Sequence, residues 1–175
     1  MLRKAIFSLI LVFVAKASLH AQAAPAAEKT GGLQAGVGYV RGHPDYSPMN
    51  FNGFTVYGDA DLWKHFGIEA EFHRISTSNT VNISEMTYEV GGRYRYPIGP
   101  VSPYVKVLGG RGTFNFGSSN QNGGYAMYAG GGGIDFRVQR SITVRVDYEY
   151  QRWGSFPPRG LQPSVATIGA AYSFR

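Results

Sequence analysis

The chain has 175 residues, room for one domain, and no cysteine, which excludes disulfide frameworks, thiolate metal sites and cysteine nucleophiles. Its 24 Gly, 11 Phe, 12 Tyr and 2 Trp, against only 16% charged residues, do not fit an ordinary soluble helical or α/β enzyme. The formal charge of +6 hints at nucleic acid, but three of the 17 basic residues fall in the first sixteen positions.

Those first positions read as an export signal. Arg3 and Lys4 precede an apolar run from Ala5 to Ala15, too short for a membrane helix, which needs about 20 residues. Ala21-Gln22-Ala23 then supplies the small-x-small pattern of a cleavage site, so residues 1–23 are expected to be a signal peptide. An uncleaved amphipathic anchor is the alternative. Cleavage removes Arg3, Lys4 and Lys16, leaving 14 basic against 11 acidic residues, and the case for nucleic acid falls away. Residues 24–32, with Pro25 and paired alanines and glycines, read as a flexible lead.

From Leu33 onward, eight segments of about ten residues alternate apolar or aromatic with polar or small residues, the length a tilted membrane strand needs. They are Leu33–Arg41, Phe54–Lys64, Phe66–Ile75, Met86–Tyr96, Tyr104–Phe116, Tyr125–Val138, Ile142–Trp153 and Val165–Phe174. Their connections alternate long and short, as in outer-membrane barrels with extended outer loops and tight periplasmic turns. All nine prolines are expected outside strand interiors.

Charge parity separates the two faces of each segment. The second sets Phe54, Val56 and Ala60 against Asp59 and Asp61, and the third sets Phe66, Ile68 and Phe72 against Glu69, Glu71 and His73. The fourth opposes Tyr88, Val90 and Tyr94 to Glu89, Arg93 and Arg95; the sixth and seventh segregate Asp135 and Arg137, and Arg145, Asp147 and Glu149, in the same way. Eight of the eleven acidic residues fall on polar faces, with Glu28, Asp45 and Glu85 left over. A soluble sandwich also alternates, but aromatics towards strand ends and polar faces holding both signs favour a barrel with a paired ionic interior.

The end of the chain, Thr167-Ile168-Gly169-Ala170-Ala171-Tyr172-Ser173-Phe174, resembles the terminal-strand assembly signal of outer-membrane barrel proteins, with Thr167, Gly169, Tyr172 and Phe174 at its key places and Arg175 added after the aromatic. Together with the signal peptide, the eight segments and Pro103-Tyr104 opening the fifth, it makes the chain similar to the small OmpA-like and OmpX-like β-barrels. That resemblance implies an eight-stranded antiparallel up-and-down transmembrane β-barrel over residues 33–175, resident in a bacterial-type outer membrane. The partners it implies are outer-membrane lipids, lipopolysaccharide and the barrel-assembly machinery, with the barrel itself monomeric.

The fifth segment carries a conflict, because Lys106 and Arg111 have opposite parity. A charge facing lipid costs roughly 2–4 kcal/mol at the midplane and about 0–1 near an interface. Arg111 is therefore expected inside and Lys106 snorkelling to the periplasmic headgroups, with Tyr104, Leu108, Gly110, Gly112 and Phe114 on lipid.

Eight strands enclose a space that side chains fill. The expected lumen network is Asp59, Glu69, Glu71, Glu89, Arg93, Arg111, Asp135, Arg145, Asp147 and Glu149, with Arg95 and Arg137 also available and no wide pore. No catalytic residue, cofactor or metal is assigned: His43 and His73 match no triad spacing and are read as solvated loop and rim residues. The function expected is non-enzymatic and structural, supporting envelope integrity. The alternative is an adhesin or surface-interaction protein acting through its outer loops, with Tyr46, Phe51, Phe156 and Arg159 as candidate contacts; a narrow channel and a lipid-modifying barrel enzyme rank below both.

Overall fold

Alternation in the sequence becomes alternation of burial along each strand. In Ile142–Trp153, residues 143, 145, 147, 149, 151 and 153 are buried, while 142, 146, 148, 150 and 152 are exposed. A strand side chain points to either face in turn, so this pattern means a sheet with one face enclosed. The computed structural model describes residues 32–45, 50–77, 83–116, 123–154 and 160–174. The signal peptide and most of the lead, residues 1–31, lie outside the described residues.

Eight strands run in chain order: β1 (Leu33–His43), β2 (Phe51–Asp61), β3 (Phe66–Thr77), β4 (Ile83–Arg95), β5 (Val101–Phe116), β6 (Gly123–Arg137), β7 (Ile142–Trp153) and β8 (Ser164–Phe174). Each pairs antiparallel with its sequence neighbours, and β1 closes on β8 from Leu33↔Phe174 to His43↔Ser164. Closure leaves no sheet edge with unpaired backbone groups, the condition a strand structure must meet in lipid.

The ends of the barrel differ. At one end lie the start of β1, the end of β8 and the tight turns at 62–65, 96–100 and 138–141, so this is the periplasmic end. The β4–β5 turn closes through Ile98 and Val101, with a hydrogen bond of 2.7 Å from the Ile98 N–H to the Val101 carbonyl. Gly99 between them has φ +62°, a conformation that favours glycine. The longer connections lie at the opposite, extracellular end.

Several strands extend further outward than the alternation predicts. β2 begins at Phe51 and β4 at Ile83, which carries Phe51 and Glu85 into the barrel wall with both side chains buried. β5 begins at Val101, so Pro103 sits inside a strand after all. As the third residue it lies at the strand's start, and its carbonyl accepts from the Tyr96 N–H at 2.9 Å.

The outward face is an apolar band of Val37, Val56, Ile68, Val90, Val105, Val107, Val146 and Ile168, all exposed. Aromatics stand towards both ends: Phe66, Tyr94, Tyr96, Tyr172 and Phe174 near the periplasm, and Tyr39, Phe54, Tyr88, Tyr128 and Tyr150 near the outside. Phe66 and Tyr94 meet edge to face at 5.0 Å, and His65 stacks on Tyr96 at 5.3 Å. Such rings suit a membrane-water boundary.

Candidate functional site

Every strand sends alternate residues into the lumen, and the side chains there form three layers. The periplasmic layer centres on two arginines. Arg93 of β4 reaches Asp59 at 2.9 Å, Glu69 at 3.4 Å and Asp135; Arg145 of β7 reaches Asp59 at 2.7 Å, Asp135 at 2.8 Å and Glu69 at 3.3 Å. Arg93 lies over the Tyr104 ring at 4.0 Å and Arg145 over Tyr57 at 4.1 Å, and Gln34 donates to Asp59. Buried guanidinium groups require this saturation, because a desolvated charge left unpaired is strongly destabilising.

Tyr57 lies where a Cβ on Gly36 would stand, so glycine at 36 is what admits the ring. At the mouth, Arg95 pairs with Asp61 at 2.6 Å, both partly exposed.

The middle layer gathers on Lys106. Its amine contacts Glu69 at 3.2 Å, Asp147 at 3.0 Å, Glu149 at 3.0 Å and also Glu71, and Tyr104 donates to Asp147 at 2.6 Å. Above it, Gln151 donates to Glu149 at 2.8 Å and Glu89 at 3.1 Å, and accepts from the Trp153 indole at 3.2 Å.

The outermost layer is apolar. Leu108, Phe114, Met127, Ala129, Trp153 and Leu161 form one cluster, and Val40, Phe51, Ile75 and Val165 another, with Ile83 packed against both. These residues close the extracellular end of the lumen.

Of the residues assigned to the lumen from sequence, Asp59, Glu69, Glu71, Glu89, Arg93, Asp135, Arg145, Asp147 and Glu149 are buried there together. Arg111 is not. Strand β5 faces the opposite way to the expectation: Tyr104, Lys106, Leu108, Gly112 and Phe114 are enclosed, while Val105, Val107, Gly109 and Arg111 are exposed. The physical reason is strand length. Arg111 lies ten residues beyond Val101, about 25 Å up a tilted strand, so it stands at the outer interface where the cost of a charge on lipid is about 0–1 kcal/mol. Lys106 at mid-barrel has carboxylates on two other strands, β3 and β7, within reach.

Further corrections follow from the same layering. His73 is no rim residue: it is 2% exposed, with Nε2 3.6 Å from Glu71 and 3.9 Å from Glu89. Glu85 lies inside. Phe51 is fully buried in the apolar plug and offers no loop contact, whereas Arg137 is exposed at the periplasmic end of β6 and takes no part in the lumen. Tyr46, Phe156 and Arg159 lie outside the described residues. In β8, Thr167 points inward, and Tyr172 and Phe174 stand 5.2 Å apart on the outer face near the periplasm.

Sequence reasoning kept Lys106, His73, Gln34 and Tyr104 out of the lumen, whereas the parity of Tyr57 and Gln151 with carboxylates on their own strands already puts them on the polar faces. A signal existed for Tyr104 too: it shares parity with Asp135 on the facing strand.

The outer surface has its own charge pattern. Arg41, Arg74, Arg111 and Arg152 project outward from β1, β3, β5 and β7 in the extracellular third, and among the described residues none makes an ion pair. Arg111 lies across Gly124. No Asp or Glu side chain of the eight strands shares this face: seven carboxylates are locked in the two ionic layers, Glu85 is buried and Asp61 lines the mouth.

Residues 9–174 match the outer membrane protein β-barrel domain family. Among solved structures, the fold is similar to Neisserial surface protein A, with 12% identity, a TM-score of 0.66, and 83% of this chain and 98% of that chain covered. It is also similar to OprG of Pseudomonas aeruginosa, with 13% identity, a TM-score of 0.62, and 84% and 97% covered. Ail, the attachment invasion locus protein of Yersinia pestis, solved with the heparin analogue sucrose octasulfate, shares 20% identity at a TM-score of 0.60 over 82% of this chain and 99% of its own. At these identities the likeness is one of fold. No curated protein matches the sequence.

Proposed function

Because the chain belongs to the outer membrane protein β-barrel family and resides in the bacterial outer membrane, we propose that it is a non-enzymatic envelope protein that seats lipopolysaccharide against its wall. One observation carries this reading: among the described residues of the strands, carboxylates are confined to the lumen and its mouths, while four arginines ring the outer wall at headgroup height. Guanidinium groups bind phosphate bidentately, and the lipid A headgroup presents phosphates at this level. Each basic residue near an anionic membrane surface contributes about 1 kcal/mol, so the belt supplies about 4 kcal/mol of attraction at moderate ionic strength.

A filled lumen fits a structural role better than transport. The ionic layers and the apolar plug leave side chains where a wide pore would need water. Ail is named for attachment and invasion, and a basic outer rim also suits sulfated polysaccharide. The experiment separates the two. Arg41, Arg74, Arg111 and Arg152 are replaced together by Gln, and folding is checked by heat-dependent mobility on SDS gels. Loss of co-purifying lipopolysaccharide and increased entry of bulky apolar dyes into cells support the envelope reading. Unchanged lipopolysaccharide and barrier with lost binding to heparin would replace it with surface attachment.

A further inference from the structure

Midway up the lumen, Glu71 and His73 of β3 face Glu149 of β7 across the barrel, and one donor atom from each lies within 4.8 Å of the others. All three are buried. Glu71 is also the direct cross-strand partner of Glu89 on β4, an arrangement of like charges that destabilises a sheet unless a cation intervenes.

The layer is short of positive charge. Seven carboxylates line the two ionic layers, Asp59, Glu69, Glu71, Glu89, Asp135, Asp147 and Glu149, whereas the permanent cations bonded to them are Arg93, Lys106 and Arg145. Both arginines are spent on Asp59, Glu69 and Asp135, so Lys106 alone serves Glu71, Asp147 and Glu149. A second observation is independent of the acid cluster. The His73 ring is 2% exposed, yet neither Nδ1 nor Nε2 has a hydrogen-bond partner, and Glu71 Oε1 and Glu89 Oε2 are likewise unbonded. Buried polar atoms without partners are rare in a finished structure and ask for an unseen ligand.

We propose that Glu71, His73 and Glu149, with Glu89 beside them, bind a divalent first-row transition cation such as Zn2+ as a structural ion inside the barrel. One imidazole and two or three carboxylates form a donor set suited to Zn2+, and one without a soft sulfur ligand. Closing the present spacing to a coordination shell, with metal-ligand distances near 2.0–2.2 Å, needs modest side-chain rotation. The supporting shell is in place: Gln151 holds Glu149 and Glu89, and Lys106 holds Glu71. The ion would join β3, β4 and β7 across the lumen, and the apolar plug above it would slow its exchange.

The test is metal content. The full chain is unfolded in denaturant with chelator, refolded in detergent with Zn2+, desalted and analysed by inductively coupled plasma mass spectrometry. The expected result is about one equivalent retained, lost in His73→Gln, with Gln151→Leu weakening affinity about 10–100-fold. Wild-type protein refolded with Co2+ should show visible absorption bands from a nitrogen- and oxygen-ligated ion, a readout that stands even if His73→Gln fails to fold. Absence of retained metal and of cobalt bands in the folded wild type would overturn the proposal. Equal retention by folded His73→Gln would also overturn it, by placing the metal elsewhere. His73→Lys provides the charge without the ligand: metal retained there would show that His73 is not a ligand and would overturn the site as drawn.

Discussion

Arg93 and Arg145, on β4 and β7, hold the same three carboxylates between them: Asp59, Glu69 and Asp135. Neither arginine has a private partner in this layer, so the loss of one leaves the other facing three acids. Arg145→Met is expected to destabilise the barrel by about 3–5 kcal/mol, because a broken buried pair leaves charge uncompensated. Asp135→Asn in the same background should recover part of the loss, as neighbours in one network couple by about 0.5–3 kcal/mol. Urea unfolding in lipid vesicles reads both values, and strictly additive losses would contradict the shared grip.

The facing of β5 is open to a paired test. Lys106→Met removes the cation from four buried carboxylates and should cost about 3–5 kcal/mol, whereas Arg111→Gln on the outer wall should shift stability by no more than about 0.5 kcal/mol. If the ranking were reversed, Arg111 would be the lumen residue.

Glycine marks where large inward rings need room. A Cβ on Gly112 would stand 2.5 Å from the Trp153 ring, so Gly112→Val should cost about 1–3 kcal/mol by overpacking. At Gly109, on the outer wall two strands from that ring, a Cβ meets nothing within 4 Å, and Gly109→Ala should be neutral or stabilising by about 0.4–1 kcal/mol. Equal effects at the two positions in the same unfolding assay would refute the assignment of faces.

The lumen is closed twice, once by ion pairs and once by the apolar plug. Phe51→Ala and Trp153→Ala should each lower stability by about 3–5 kcal/mol, yet leave vesicles impermeable to small sugars because the ionic layers below persist. Planar-bilayer recordings provide the check. Discrete conductance steps from the wild type would show that the layers do not seal.

The architecture was readable wherever chemistry and parity agreed. In β7, Thr143, Arg145, Asp147, Glu149 and Gln151 alternate without exception against Ile142, Val144, Val146, Tyr148 and Tyr150, and the strand's facing follows from that row alone. In β5 the cues conflict: Gly110 and Gly112 look like small lipid-facing residues, but a Cβ at Gly110 would run into the Tyr88 backbone of β4, and Gly112 leaves space for the Trp153 ring arriving from β7. Phe51 and Ile75 break the polar-inside rule because the outer lumen is filled with an apolar plug. The meeting of His73 with Glu149 depends on closure, which brings β3 and β7 face to face over 76 residues of chain, and no local spacing encodes it.

Period-two alternation forbids a strand from slipping by one residue but tolerates a slip by two, since every side chain then keeps its face. The ionic layers remove that tolerance. A two-residue slip of β7 would carry Arg145 about 7 Å along the barrel, away from Asp59, Glu69 and Asp135 at once, and would shift Asp147 and Glu149 from their places beside Lys106. The lumen charges thus act as a tumbler lock on the shear of the cylinder: of the closures that the hydrophobic pattern would accept, they select the one in which acids on β2, β3 and β6 line up with bases on β4 and β7.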